Sequence, residues 1–137
     1  MDFDPQRDYP LGTRRPDLVA TASGVPLEGV TLEALAEGRI DGPEIRATPQ
    51  TLRLQAEVAR AAGRDPLAAN FERAAELAAI PGDLLLAVYT ALRPRRATAN
   101  ELDGWAATLE EHGAVKTAAF VREAAEAYAE RGLLAGA

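Results

Sequence analysis

The stretch TPQTLRLQAEVARAAGRDPLAANFERAAELAAIP, residues 48–81, decides the fold of this chain. Thr48 followed by Pro49 is typical of a helix start, because threonine can cap the first turn and proline is accepted at the first helical position. The helix that they begin is predicted to run to Gly63. Asp65 and Pro66 predict the start of a second helix in the same way, with Asp65 as the cap and Pro66 at the first helical position. One face of that helix is apolar and consists of Leu67, Phe71, Ala74, Ala75 and Ala78.

Two more helices are predicted beyond this stretch. Pro81 opens a third helix, which stops at Pro94 because proline cannot continue it. Its apolar side consists of Leu85, Val88, Tyr89 and Leu92. Thr98 and Glu101 form a capping-box pattern, in which each side chain can satisfy the other residue's unpaired amide. They begin a fourth helix that ends near Gly113.

The last predicted helix runs from about Ala114 to Arg131 and is closed by Gly132. Its apolar stripe consists of Phe120, Ala124, Ala127 and Tyr128. No segment has a convincing strand pattern, and no internal repeat is visible. The sequence therefore predicts a mainly α protein, with a compact bundle of four to five helices forming a helical domain over residues 47–137.

Residues 1–46 differ in character from the rest. Five of the nine prolines and five of the eleven glycines of the chain fall in its first 43 residues, where they limit any helix to about two turns. One short helix is predicted over residues 31–37, because Thr31 can cap it and Gly38 can take the left-handed closing position. The rest of this segment is predicted to be an extended N-terminal arm.

Apolar residues are scattered along this arm. They are Tyr9, Leu11, Leu18, Val19, Val25, Leu27 and Val30. Proline and glycine prevent the arm from building a core of its own, so such side chains bury best against a surface that already exists. That surface is either the chain's own helices or a partner protein.

The composition excludes several classes of function. The net charge of −6 repels phosphate backbones and anionic lipids, so nucleic acid and membrane partners are not expected. The absence of cysteine excludes disulfides, thiolate metal sites and cysteine nucleophiles, and fits a reducing cytoplasm. The first residues lack the pattern of a secretory signal, and the longest uninterrupted apolar run is only Leu84 to Val88. We expect a cytoplasmic protein.

No residue pattern indicates catalysis or metal binding. His112 is the only histidine, with no second imidazole or thiol to complete a common metal site. Neighbouring glutamates, such as Glu110 with Glu111 or Glu123 with Glu126, are typical of solvated helix faces. The phosphate-loop, dinucleotide and serine-nucleophile motifs are all missing. We expect no catalytic, cofactor-binding or metal-binding residue on this chain.

A cluster of arginines stands out against the acidic background. Arg93, Arg95 and Arg96 surround Pro94 at a predicted helix end. They can complement the negative end of the helix dipole, or anchor acidic groups of a partner by bidentate pairing. Both interpretations stay open. The candidate partner-interface residues are therefore drawn from the arm and from this cluster: Tyr9, Leu11, Arg14, Leu27, Arg93 and Arg96.

In order along the chain, these features resemble the small subunit of adenosylcobalamin-dependent diol and glycerol dehydratases. The resemblance covers roughly residues 8 to 134 and is densest between residues 70 and 81. Its motifs are Asp8-Tyr9-Pro10-Leu11, Thr13-Arg14, Ser23-Gly24, Pro26-Leu27, Thr31-Leu32-Glu33, Asn70-Phe71, Arg73-Ala74-Ala75-Glu76-Leu77, Ile80-Pro81, Ala91-Leu92-Arg93-Pro94 and Phe120-Val121-Arg122-Glu123-Ala124-Ala125. The sequence departs from the family pattern at Gly82-Asp83, Ala97 and Gly104-Trp105.

The resemblance implies an accessory subunit of a lyase, inactive alone. It implies a complex with two copies each of a large, a medium and a small subunit. Adenosylcobalamin would lie between the large and medium subunits, where radical chemistry converts a 1,2-diol such as propanediol, or glycerol, to an aldehyde. The small subunit would support the large one without touching substrate or cofactor.

Some members of the family carry an amphipathic N-terminal extension linked to bacterial microcompartments. Only seven residues precede Asp8 here, so we expect any such address on a partner subunit. Two alternatives to the propanediol dehydratase interpretation remain at this point: a glycerol dehydratase small subunit and a free-standing helical interaction module. An independent small enzyme is a more remote possibility, because it would need reactive groups that the sequence does not indicate.

Overall fold

The structure is a computed structural model that describes residues 1–136, and within that range it is mainly α, as predicted. Its α-helices are α1 (Leu11–Arg14), α2 (Leu32–Ala36), α3 (Pro49–Ala61), α4 (Asp65–Leu77), α5 (Gly82–Ala91), α6 (Ala99–Glu111) and α7 (Val115–Arg131). Single 3-10 turns lie at Pro16–Leu18, Leu27–Gly29 and Pro43–Ile45. The described residues contain no β-strand, only one isolated antiparallel bridge between Ala20 and Pro26.

The predicted caps of three helices are confirmed. The Thr48 hydroxyl accepts a hydrogen bond from the Thr51 amide at 3.2 Å at the start of α3. At the start of α6, the Glu101 carboxylate accepts from the Thr98 amide at 2.7 Å, while the Thr98 hydroxyl accepts from the Glu101 amide at 3.2 Å. Gly132 closes α7 with a φ of 64°, a conformation that favours glycine.

Two helix starts differ slightly from the prediction. Asp65 is the first residue of α4 rather than its cap, and Arg64 precedes it without a side-chain cap. The Asp65 carboxylate still lies in the first turn, where the positive end of the helix dipole stabilises a negative charge. Pro81 is the N-cap of α5 rather than its first residue. The helices themselves begin within one residue of the predicted positions.

The chain divides into two compact units, the first of which spans Met1–Ala78. Its helices α3 and α4 pack on each other through Ala56, Ala59 and Ala68, with Phe71 against this cluster. Small side chains allow the two backbones to approach closely. The predicted boundary after residue 46 falls inside this unit, and the division into an arm and a separate helical domain stays a prediction.

The arm segment contains more turns than the sequence predicted. The short helix α2 is present, with the Thr31 hydroxyl accepting from the Ala34 amide at 3.1 Å and Gly38 at a φ of 70°. Helix α1 and the 3-10 turns were not predicted. Two of these turns begin with a proline, which stops longer helices yet fits the first position of a single turn. The segment therefore contains a succession of short turns in addition to the predicted short helix.

The second unit begins at Ala79 and contains α5, α6 and α7. Helices α6 and α7 pack closely through the fully buried side chains of Leu102, Leu109 and Val121. The segment after α7 returns to the loop that precedes α6, because the Arg95 amide donates to the Leu133 carbonyl at 2.7 Å. None of the helices within residues 1–136 is both long and apolar enough to cross a membrane.

Candidate partner interface

The N-terminal residues of the first unit border an open apolar depression. Tyr9, which is 51% exposed, lines it together with Pro5. Val58 of α3 and Phe71 of α4 lie on the opposite side. The depression has a volume of about 590 Å³. The beginning of the arm therefore lies next to α3 and α4 of its own unit. The ring of Tyr9 stays about half exposed to solvent.

A buried carboxylate organises this N-terminal segment. The Asp8 side chain is only 5% exposed and accepts hydrogen bonds from Arg7 Nε at 2.7 Å and Arg15 Nη1 at 3.0 Å. It also accepts from the Asp4 backbone amide at 3.0 Å. The hydrogen bond from Arg7, followed by that from the Asp4 amide, holds the pKa of Asp8 well below its usual range. Sequence reasoning missed this cluster, because Asp8 and Arg15 are seven positions apart in a segment without regular periodicity.

The other three candidate residues of the arm are Leu11, Arg14 and Leu27. Leu11 is 2% exposed and is therefore already buried by its own chain. Arg14 is exposed, and its Nη1 donates to the Arg7 carbonyl at 3.0 Å. Leu27 is half-buried, and its Cδ2 lies 3.5 Å from the position that a Cβ would take on Gly12. The structure thus brings Leu11 and Arg14 together on α1, with Leu27 adjacent.

The arginine cluster lies on the second unit. Arg93, Arg95 and Arg96 are all exposed. Among residues 1–136, none forms an ion pair or hydrogen bond with the side chains of these three arginines. By contrast, Arg122 in the same unit pairs with Asp103 at 3.0 Å and with Glu110 at 2.5 Å. The cluster therefore presents guanidinium groups whose hydrogen-bonding capacity the described chain leaves to solvent.

A second apolar surface lies between α5 and α6, and sequence analysis did not predict it. Leu86 of α5 and Trp105 of α6 line a groove of about 950 Å³ that is open to solvent. Arg96 lies at the end of the groove near the loop, and Asp83 belongs to the first turn of α5. We call this feature the α5–α6 groove. Its full lining is Asp83, Leu86, Ala87, Thr90, Ala91, Arg96, Ala97, Glu101, Gly104, Trp105 and Thr108.

The groove escaped sequence reasoning because its walls come from two different helices, with Leu86 and Trp105 nineteen positions apart in the sequence. On α5, Leu86 lies outside the predicted apolar face, and on α6, Trp105 was not assigned to any packing surface. The signal that was available is the departure from the family pattern, because Asp83, Ala97, Gly104 and Trp105 all line this groove.

The residues considered for chemistry lie in ordinary structural positions. His112 Nδ1 is 2.9 Å from the Thr108 carbonyl of its own helix. Glu110 is held by Arg122, whose hydrogen bond lowers the pKa of that carboxyl. Ser23 lies in a turn, with its hydroxyl donating to the Glu44 carboxylate at 2.5 Å. The described residues include no group of three or more His, Asp or Glu side chains placed to hold a metal ion.

Comparison with known proteins gives a match over nearly the whole sequence. The family model described as "Dehydratase small subunit" matches residues 5–135. The chain belongs to the dehydratase small subunit family. The family predicted from the sequence motifs is thereby confirmed.

Two curated relatives carry the name "Propanediol dehydratase small subunit". The protein of Citrobacter freundii is 52% identical over 130 residues, which cover 94% of this chain and 76% of the relative. The protein of Salmonella typhimurium is 51% identical over 130 residues, covering 94% of this chain and 75% of the relative. The region that the family model matches covers most of both compact units and all the candidate interface residues.

Proposed function

We propose that this chain is the small, non-catalytic subunit of an adenosylcobalamin-dependent propanediol dehydratase. Its partners are a large catalytic subunit and a medium subunit, with two copies of each of the three in the complex. The observation that carries the proposal is the identity of 52% and 51% to two propanediol dehydratase small subunits over 94% of the chain. At such identity, the fold and the core packing of relatives are expected to be alike.

The structure of the chain favours a role in stabilising the complex over a role in the reaction. The fully buried side chains of the second unit are apolar, and the large depressions of both units are open to solvent. A radical intermediate needs an enclosed site that keeps water and side reactions away. We propose that the large subunit supplies that site and that this chain stabilises its shape.

Adenosylcobalamin does not fit a site formed by the described residues of this chain. The only imidazole, that of His112, faces the carbonyl of its own helix at an exposed helix end. The surface that lines the two open depressions is mostly apolar. We therefore assign the cofactor to the partner subunits and no step of the reaction to side chains of this chain.

The candidate interface residues keep their proposed role. They are Tyr9, Leu11, Arg14, Leu27, Arg93 and Arg96. Tyr9 and the arginines offer exposed surface, whereas buried Leu11 would act by fixing the position of α1. We propose a cytoplasmic location for the complex, with any microcompartment association provided by partner subunits.

Co-expression with the large and medium subunits tests the proposed function. An affinity tag on the large subunit should recover all three chains in equal amounts, and the complex with added adenosylcobalamin should convert propane-1,2-diol to propanal. A complex without this chain should be less stable or less active. Recovery of the large and medium subunits without this chain, at full activity, would contradict the proposal.

Parallel assays with propane-1,2-diol and glycerol determine the substrate class. The names of the relatives favour propane-1,2-diol. A markedly higher kcat/KM for glycerol would assign the complex to the glycerol dehydratases instead. This chain purified alone should produce no aldehyde from either substrate.

A further inference from the structure

We infer that the α5–α6 groove is the principal docking site on this chain for an apolar segment of the large subunit that ends in a carboxylate side chain. The inference rests on the proposed function, because it takes the large subunit as the partner. It goes further by assigning the contact to Leu86, Trp105, Gly104 and Arg96. Three of these four residues were not among the interface candidates from the sequence.

The apolar walls of the groove lack a partner in the described chain. Leu86 is 67% exposed although it lies in the middle of α5, between the apolar residues Leu85 and Ala87. The half-buried indole of Trp105 faces the same groove from α6. Helices α6 and α7 pack closely, but α5 touches α6 only sparsely. A second apolar surface placed in the groove would remove both side chains from water.

Gly104 provides an independent argument. It lies inside α6, where glycine is less favourable than alanine, and its φ is not in the left-handed region. Apart from its sequence neighbours and the backbone of its own helix, no atom in residues 1–136 lies within 4 Å of the position that a Cβ would occupy. Neither the backbone nor the packing of the isolated chain therefore requires glycine there. A glycine in the wall of the groove leaves room for another backbone or side chain to approach α6 closely.

The charges around the groove select the chemistry of the occupant. Arg96 lines one end of it and follows Arg93 and Arg95 in the sequence, and none of the three has an ion-pair partner in residues 1–136. The Glu101 carboxylate, also at this end, is already engaged by the Thr98 amide and hydroxyl. A carboxylate at the end of an incoming apolar segment can therefore pair with free guanidinium groups, and arginine favours bidentate pairing of this kind.

Competition for the large subunit tests the groove in the complete complex. The chain carries either Leu86→Ser or Arg96→Gln, and it competes with the tagged, unaltered chain for co-expressed large and medium subunits. We expect each groove variant to be incorporated about tenfold less than the unaltered chain, which is the effect of removing one buried leucine or one charged pair. The matched controls are Val115→Ser, at an exposed apolar residue of α7, and Arg131→Gln, at an exposed arginine. Both controls should compete equally with the unaltered chain.

Substitution of Gly104 separates docking from folding. Gly104→Ala should raise the melting temperature of the chain, because alanine favours the helix and the new methyl group meets no atom. Gly104→Leu should leave the helix intact and fill the groove, so that incorporation falls about tenfold or more. Ala107→Leu is the control, because Ala107 is exposed on the same helix and does not line the groove.

The outcomes distinguish the groove from the proposed function. If the unaltered chain joins the complex and the groove variants do so equally well, the groove inference is wrong and the proposed function stands. If the unaltered chain fails to join, both are wrong. If the isolated chain sediments as a dimer that Gly104→Leu converts to a monomer, the groove binds a second copy of this chain, and the inference is overturned.

Discussion

Each of the two compact units contains two consecutive helices that pack closely on each other. The units differ in which side chains they leave exposed to solvent. In the first, α3 and α4 pack through alanines, and the N-terminal segment is fixed by the ion pairs of Asp8. In the second, α6 and α7 enclose leucine and valine, while α5 leaves Leu86 exposed. The difference shows that a polar cluster can hold a turn-rich segment in place, whereas a loosely attached helix leaves an apolar groove for a partner.

The closely packed part of the second unit should respond most strongly to mutation. Leu109→Ala removes a fully buried side chain between α6 and α7, and should lower the free energy of unfolding by about 2–5 kcal/mol. Leu86→Ala, in the exposed wall of the groove, should change it by less than about 0.5 kcal/mol. Urea denaturation of the full chain measures both values. Equal losses would mean that α5 is packed as tightly as α6.

The ion-pair cluster of the first unit predicts a pH dependence. Because Arg7 and the Asp4 amide lower the pKa of Asp8 in the folded state, its contribution to stability is fully present above the ordinary carboxyl pKa of about 3.9. The contribution begins to decrease below that value and is lost as the pH falls through the lowered pKa of Asp8 in the folded state. Asp8→Asn should therefore lower the melting temperature at pH 7 and have a smaller effect at pH 3.

The control for this prediction is Asp2→Asn. The Asp2 side chain is exposed, and its Oδ2 lies 3.7 Å from Arg7 Nη2, so its pairing with Arg7 is weaker than that of Asp8. This variant should melt close to the unaltered chain at both pH values. An Asp8→Asn effect of the same size at pH 3 and pH 7 would show that the charge of Asp8 does not stabilise the segment.

A smaller effect is expected at the start of α6. Thr98→Ala removes the hydroxyl that accepts from the Glu101 amide, and should lower the free energy of unfolding by about 1 kcal/mol. Thr98→Ser retains the hydroxyl and should restore most of this loss. Thermal denaturation followed by circular dichroism provides the comparison. No difference between the alanine and serine variants would mean that the cap is not stabilising.

Local chemistry made the long helices predictable. Threonine caps, prolines at helix starts and Gly132 at a helix end each act within a few residues, so their positions are readable from the sequence. The Asp8 cluster and the α5–α6 groove were not readable, because both depend on residues brought together by folding. The exposure of Arg93 and Arg96 could be predicted, because charged residues that cluster at a helix end usually lie in solvent. The burial of Leu11 could not be predicted, because it depends on how α1 packs against its surroundings.

The turnover number of the assembled complex tests most directly whether this chain stabilises the large subunit without contributing a catalytic residue. Three of the exposed ionisable side chains that were considered for catalysis can be changed together as His112→Gln, Glu111→Gln and Glu123→Gln. If the chain is an accessory subunit, kcat of the fully assembled complex should stay within about twofold of the unaltered complex, since loss of a general acid or base typically costs about 10²-fold or more. A loss of that size with all three subunits still present in equal amounts would contradict the account.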